Sequence, residues 1–327
     1  MKSLQILCPV FREEEGILDF HRCLQDALAP LRDRYRIGYI YAVDPASDRS
    51  EEILLELAQR EADVRVLIMS RRFGHQAALM AGMDVCDADA LVMLDSDGQH
   101  PADLIPTLVE QWEQGAQIVQ TIRRDGEETG FFKRSTSALF YRVISWIGSI
   151  DLRAGAADYR LLDRAVVNVI REQLPERNMF LRGVVAWVGY RISFLEFVPL
   201  KRMHGTSKYR PSVLFNFAVQ GISSFSKTPL RLCTVTGLAV SLLSIAAGAI
   251  QVLVYLLGGM EVQGWASLMT FISFLGGLQL FFMGIFGEYL GQIFDEVKGR
   301  PRYLVSIDSR RDDARLTNIY KETARNV

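Results

Sequence analysis

The stretch Ala90-Leu-Val-Met-Leu-Asp-Ser-Asp-Gly-Gln-His-Pro101 governs how the rest of the chain is read. An apolar, β-prone run ends in two carboxylates one residue apart and then meets Gly98 and Pro101, so the acids stand where a buried strand breaks into a loop. Asp95 and Asp97 raise each other's cost of ionisation unless a cation lies between them, and hard oxygen ligands at a strand end suit Mg2+ or Mn2+. A metal that holds a diphosphate is the simplest reason for the pair, with Gln99 as a further, neutral oxygen ligand. The same residue types also form an ordinary polar turn after a strand. The flanking chain has to choose between the two.

Upstream and downstream, strand and helix patterns alternate. Strands are expected at Leu4 to Val10, Tyr39 to Val43, Val64 to Met69, the run ending at Asp95, and Gln117 to Ile122. Helical spacing separates them at 13–28, 49–60, 75–85 and 103–114, and resumes at 163–173. Single helices between strands imply an α/β fold with a mostly parallel sheet covered on both faces, whose ligands gather at the carboxyl ends of the strands. Those ends hold Pro9 to Glu13, Asp44, Ser70 to Gly74, Asp95 to Gln99, and Arg123 with Arg124. Carboxylates, a metal-type pair and arginines are the equipment for a metal-bound nucleotide, with Asp44 able to accept hydrogen bonds from a base or ribose. Neither GxxxxGKS nor GxGxxG occurs, which argues against a P-loop NTPase and a dinucleotide dehydrogenase.

At 327 residues there is room for about two domains. A net charge of -1 gives no electrostatic footprint for nucleic acid. The four cysteines, Cys8, Cys23, Cys86 and Cys233, have no metal spacing and suit reduced, mostly buried thiols on the cytosolic side of a membrane. The apolar run at the N-terminus is too short for a signal peptide and reads as a strand.

Charges recur every few residues up to about Arg231, but 232–257 contains none and 265–287 repeats that pattern. Each is long enough to span a hydrocarbon core of roughly 20 residues, so two transmembrane helices are expected, at about 232–257 and 266–290. A buried soluble helix pair is the alternative, but such helices rarely stay apolar around the whole circumference. The link between the spans carries no Lys or Arg, whereas Lys227, Arg231, Lys298, Arg300 and Arg302 flank the outer ends. The positive-inside rule therefore places both termini in the cytoplasm. Ahead of the first span, 201–210 concentrates positive charge, and 211–231 has the two-sided pattern of a helix lying in the membrane interface, touching lipid. Gly284, Gly287 and Gly291 form a small-residue face suited to contact within the hairpin or in a homo-oligomer. The polar tail, 295–327, shows no catalytic pattern. Residues 1–210 are left as the catalytic domain.

Asp158 follows the small residues Ala154 to Ala157, which let a substrate or another chain approach closely. Its residues alone favour a structural acid paired with Arg160 or Arg164 slightly over a catalytic one.

Taken in order, PVFREEE, the strand ending in Asp44, SRRFGHQAALMAG, LDSDGQHP, AADYRLLDR, MFLRGVVAWVGYR, HGTSKY and GEYLGQIF with RPRY resemble the polyprenyl-phosphate glycosyltransferases of glycosyltransferase family 2. More narrowly, the set resembles the membrane-anchored bactoprenol glucosyltransferases, relatives of dolichol-phosphate mannose synthase. The resemblance runs from about residue 4 to about residue 305. It implies a GT-A nucleotide-sugar domain and inverting transfer of one sugar from a UDP or GDP donor, with UDP-glucose the nearest match, to a polyprenyl phosphate such as undecaprenyl phosphate. It places Pro9, Phe11, Glu13 and Asp44, with Ser96, on the nucleotide, and Asp95, Asp97 and Gln99 on Mg2+ or Mn2+. It puts Arg123, Arg134, Arg202 and Lys208 on phosphates, and Asp158 on the acid the family assigns to catalysis.

This chain departs from the usual pattern in several places. Phe11-Arg12 replaces Tyr-Asn, Pro45 stands where a second acid is usual, His75 occupies a position often held by Lys, and Ala157 with Tyr159 replaces Gly and Phe. A processive polysaccharide synthase, which usually has more spans and a QxxRW-type motif, and a catalytically silent nucleotide-sugar-binding membrane protein are the rival readings.

Overall fold

The computed structural model describes residues 1–124, 153, 155–174, 176, 179–200, 226–257 and 264–311. The expected strands form: β1 (Lys2–Val10), β2 (Tyr35–Val43), β3 (Val64–Met69), β4 (Ala90–Met93) and β5 (Ile118–Arg123). Three more join them, β6 (Ala156–Asp163), β7 (Ile192–Phe197) and β8 (Val305–Asp308), in one sheet ordered β7-β5-β6-β4-β1-β2-β3-β8. Only β6 and β8 run against the rest, so the sheet is mostly parallel, as its alternating pattern implies.

Period-two alternation divides each central strand between two cores. From β1, Leu4, Ile6 and Cys8 join Tyr39 and Tyr41 of β2 on one face, under α1 (Ile17–Leu28), α2 (Ser50–Arg60) and α4 (Ile105–Glu113). Leu7 points to the other face with Ile40, Leu67 and Leu91, under α3 (His75–Asp84), α5 (Arg164–Glu172) and α6 (Leu181–Trp187). α3 seats directly on β1, because a Cβ at Gly82 would stand 2.0 Å from Leu7 Cδ1. Asp163 closes β6 and opens α5: one carboxylate oxygen accepts the Ala165 N–H at 2.8 Å and the other accepts Trp112 Nε1–H at 2.7 Å.

Two long helices follow, α7 (Thr228–Leu256) and α8 (Trp265–Lys298). Their apolar windows, Thr228–Ile250 and Thr270–Lys298, have mean hydropathies of 1.9 and 1.6, and protein buries neither. Leu243, Phe281 and Phe286 stand open along them. Such exposure is unfavourable in water and costs nothing in hydrocarbon, so both helices are long and apolar enough to cross a membrane. Tyr289 Oη donates to the Ser226 carbonyl at 2.7 Å and ties the two outer ends together. Within the described residues nothing lies within 4 Å of a Cβ built on Gly284, Gly287 or Gly291, so α7 does not use that face. The expected interfacial helix lies mostly in 201–225, outside the described residues.

The segment after Arg302, expected to be a polar tail, instead completes the sheet. Residues 305–308 pair antiparallel with β3, and Leu304 O accepts the Ser70 N–H at 2.8 Å. Arg65 grips Asp308 through Nε and Nη2 at 3.0 and 2.7 Å, with both side chains nearly buried. Tyr303 Oη donates to Asp84 Oδ2 at the end of α3, and Arg302 to the Leu174 carbonyl. Four residues are too few for a periodic signal, and the strand exists because partners far away in sequence receive it.

Burial alone raises the Asp308 carboxyl, but Arg65 outweighs it and holds the group below the usual aspartate range. The pair's stabilisation is therefore complete above that range and is lost as pH falls through it. Asp308→Ala, which strands a nearly buried guanidinium, should cost about 3 kcal/mol at neutral pH. Thermal unfolding of the purified protein should show this gap closing under acid.

Candidate active site

β1 lies between β2 and β4, and the chain leaves it in opposite directions to build the two halves of the sheet. The carboxyl ends of β1 and β4 therefore border the crevice where open α/β sheets bind ligands. β6 runs the other way, which brings its start, and with it Asp158, to the same edge.

The loop after β4 is fixed from several sides. Leu94 N–H donates to the Leu7 carbonyl, and Ser96 Oγ donates to the Pro9 carbonyl at 2.9 Å, pinning the loop to the end of β1. Asp97 Oδ1 accepts the Gln99 N–H at 3.0 Å around Gly98, whose φ of 75° admits the turn. His100 stacks on Tyr159 with centroids 5.2 Å apart, and Tyr159 Oη donates to the Pro101 carbonyl. Asp95 N–H donates to His100 Nδ1 at 3.0 Å, so that nitrogen carries no proton, and its 3.8 Å approach to Asp95 Oδ2 is not an ion pair.

Asp95 and Asp97 thus present two hard carboxylates at the crevice, the Asp95 side chain one-third exposed. Among the described residues no group of three or more His, Cys, Asp and Glu gathers as a metal cluster. A pair of carboxylates nonetheless fits a divalent ion that takes its other ligands from water and substrate phosphates. The expected Gln99 contact comes from its side chain, whereas its backbone carbonyl is already engaged by the Leu200 N–H at 3.0 Å.

Asp158 is almost wholly buried and shared among two arginines and a histidine. Arg182 donates from Nε and Nη2 at 3.0 and 2.7 Å, Arg160 donates from Nη2 at 2.8 Å, and His75 Nε2 stands 3.4 Å from Oδ2. The same His75 nitrogen is 3.6 Å from Asp95 Oδ1, so one imidazole bridges the acid of β4 and the acid of β6. Burial pushes the Asp158 carboxyl up, but Arg182, His75 and Arg160 together hold it well below the carboxylate range. Desolvation lowers the His75 imidazole, and Asp95 and Asp158 outweigh it, leaving it raised. Burial brings Arg160 down to about 10. Of the two structural partners expected for Asp158, Arg160 is present, while Arg164 approaches Asp89 instead, at 3.7 Å.

On the far side of the crevice, Asp44 is buried and accepts the N–H groups of Phe73 and Gly74 at 2.9 and 2.8 Å, holding the entrance to α3. Its carboxylate therefore has a scaffolding task whatever else it binds. Phe11 lies under the Arg72 guanidinium at 4.1 Å, and the Glu13 N–H donates to Ser50 Oγ at 2.9 Å. Arg123 closes β5, exposed, with its N–H on the Gly155 carbonyl. Arg134, Arg202 and Lys208 lie outside the described residues.

Arg182 and the bridging position of His75 were not legible as site residues. Arg182 sits 24 residues after Asp158, and only folding α6 back over β6 brings them together.

Comparison with known proteins identifies the family. The model of Glycosyl transferase family 2 matches residues 5–170, and that of the GtrB C-terminal hairpin matches 228–293. An uncharacterised glycosyltransferase of Synechocystis sp. is 40% identical over 304 residues, covering 93% of this chain and 95% of its own. The SfII prophage-derived bactoprenol glucosyl transferase of Shigella flexneri is 38% identical over 305 residues, covering 93% and 97%. The prophage bactoprenol glucosyl transferase homolog of Escherichia coli is 36% identical over 303 residues, covering 93% and 98%. With a mostly parallel α/β sheet, two carboxylates at the end of β4 and a family match over half its length, the chain belongs to glycosyltransferase family 2 and has the GT-A type of fold.

Proposed function

We propose that this glycosyltransferase moves a single glucose from UDP-glucose to a polyprenyl phosphate, with inversion, at the cytoplasmic face of a bacterial membrane. The observation that carries the reading is the joining, in one chain, of the Asp95, Asp97 and Asp158 crevice to an apolar helix hairpin. Whole-length similarity to proteins named bactoprenol glucosyl transferase supports the acceptor and the sugar. Both chain ends lie on the cytoplasmic side in this reading, since β8 returns from the outer end of α8 to the catalytic sheet.

Pro9, Phe11, Glu13 and Asp44 border the base and ribose, and Ser96 serves by pinning the crevice wall. Asp95 and Asp97, with the Gln99 side chain, would hold Mg2+ or Mn2+. When bound, that ion neutralises charge on the departing diphosphate. Arg123, with Arg134, Arg202 and Lys208, supplies positive charge to phosphates of donor and acceptor.

The acceptor phosphate loses its second proton near pH 6 and so meets the sugar largely as a dianion. One of its oxygens attacks the anomeric carbon as the bond to the UDP oxygen breaks. Asp158 is too weak a base to be needed for that proton, because Arg182, His75 and Arg160 stabilise its ionised form. A carboxylate and a phosphate dianion also repel each other unless a cation stands between them. The Asp158 carboxylate therefore acts by fixing Arg182 and His75, and those donors face the acceptor.

Asp97→Ala should abolish turnover. Asp158→Asn should slow it about 100-fold by misplacing Arg182 and His75, while UDP affinity measured by calorimetry stays nearly intact. Loss of UDP binding in Asp158→Asn would refute the orienting role. Radiolabel passing from UDP-glucose into organic-soluble lipid, with undecaprenyl phosphate as acceptor, tests the reaction. Label from another nucleotide sugar but not from UDP-glucose would overturn the choice of sugar.

A further inference from the structure

The first turn of α3 carries His75, the imidazole that stands 3.6 Å from Asp95 and 3.4 Å from Asp158. Behind it, Ala78 to Met83 are buried against the sheet. Apolar contact of that kind is non-directional, so it holds a helix down without choosing where along its own axis the helix comes to rest. Directional bonds at the two ends make that choice.

At the start of α3, Asp44 accepts the Phe73 and Gly74 N–H groups. At the other end the partners come from the segment that forms β8. Tyr303 Oη donates to Asp84 Oδ2 at 2.5 Å, in the last turn of the helix, although 219 residues separate the two in sequence. Arg65 Nη1 donates to the Val85 carbonyl at 3.3 Å, one of the helix-end carbonyls that no intrahelical N–H reaches. The same guanidinium is aimed by Asp308, which takes its Nε and Nη2. Leu304 O accepts the Ser70 N–H at 2.8 Å, where the chain leaves β3 for the loop that leads into α3. Residues 303–308 therefore brace both the far end of α3 and its approach.

The bracing segment continues directly from α8. Gly299, with a φ of 66°, ends that helix, and its N–H donates to the Glu296 carbonyl at 3.3 Å. Pro301 keeps the helix from resuming, and Arg302 Nη2 donates to the Leu174 carbonyl at 2.5 Å. Only Arg300 to Arg302 lie between the helix cap and Tyr303. At about 3.5 Å per residue such a link has little slack.

Building on the function proposed above, we propose that Tyr303 is a positioning residue for the transfer. Through Asp84 it sets where α3, and with it His75, stands against Asp95 and Asp158, and it takes its own position from α8. The apolar hairpin then does more than anchor the chain. It fixes the register of the helix that brings an imidazole between the two acids of the crevice.

The test uses the full-length protein in detergent micelles. Tyr303→Phe keeps the ring in its packing against the core and removes only the hydroxyl. It should lower kcat about tenfold, while UDP affinity stays within about twofold and the thermal midpoint within about 3 °C. In a His75→Ala background the same change should cost less than about twofold, because the residue it positions is gone. Asp84→Leu should repeat the pattern and serves if Tyr303→Phe does not fold; Asp84→Asn, which keeps an acceptor oxygen, should lose less. In protein isotopically labelled at histidine, the His75 ring signal, assigned by its disappearance in His75→Ala, should move in Tyr303→Phe while the His21 signal stays. Losses that multiply in the double variant, or a His75 signal that does not move, would overturn the proposal. That signal is read without turnover, so a moved His75 signal in a protein whose wild type passes no sugar to prenyl phosphate would sink the proposed reaction and leave the positioning of α3 standing.

Discussion

A carboxylate taken almost completely out of water has to be surrounded by donors, and Asp158 draws its donors from three different elements. Arg160 comes from its own strand, Arg182 from α6 and His75 from the first turn of α3. Removing the acid would leave Arg160, which has no access to solvent, without its ionic partner. The interaction therefore ties α3 and α6 to the edge of the sheet where β6 begins. In the proposed reaction it also sets the part Asp158 plays, because an acid stabilised in its ionised form positions other groups better than it takes up protons.

The crevice divides charge in a way that suits a transfer between two anions. At the end of β4 the protein presents carboxylates, which attract cations. At the start of β6 it presents guanidiniums, which attract anions. His75 stands between the two sets, within 3.6 Å of Asp95 and 3.4 Å of Asp158. In the proposed reaction the sugar would cross the crevice from the first set to the second.

Much of this arrangement was legible in the sequence because it rests on local pattern. The period-two runs gave β1 to β5, the helical spacing gave α1 to α4, and the break at Asp95 located the crevice. The two apolar helices announced themselves by length and lack of charge. What could not be read depends on distant partners. β8 is four residues long and owes its place to Arg65 and the edge of β3, more than two hundred residues earlier. Arg182 looks like any helical arginine until α6 folds back over β6. Asp44 carries the right chemistry for a ribose, but nothing local reveals that Phe73 and Gly74 would bind its oxygens.

The place of β8 in the chain has a consequence for how the molecule is made. The strand that closes the β3 edge is encoded after both apolar helices, so a ribosome releases it only once the hairpin has been synthesised. During translation the half of the sheet built from β1 to β3 must wait with its outer strand unpaired, an open template for other nascent chains. Synthesis of both apolar helices thus precedes completion of the sheet. A chain stalled before residue 305 would carry the side chains of the crevice on a scaffold still missing its border.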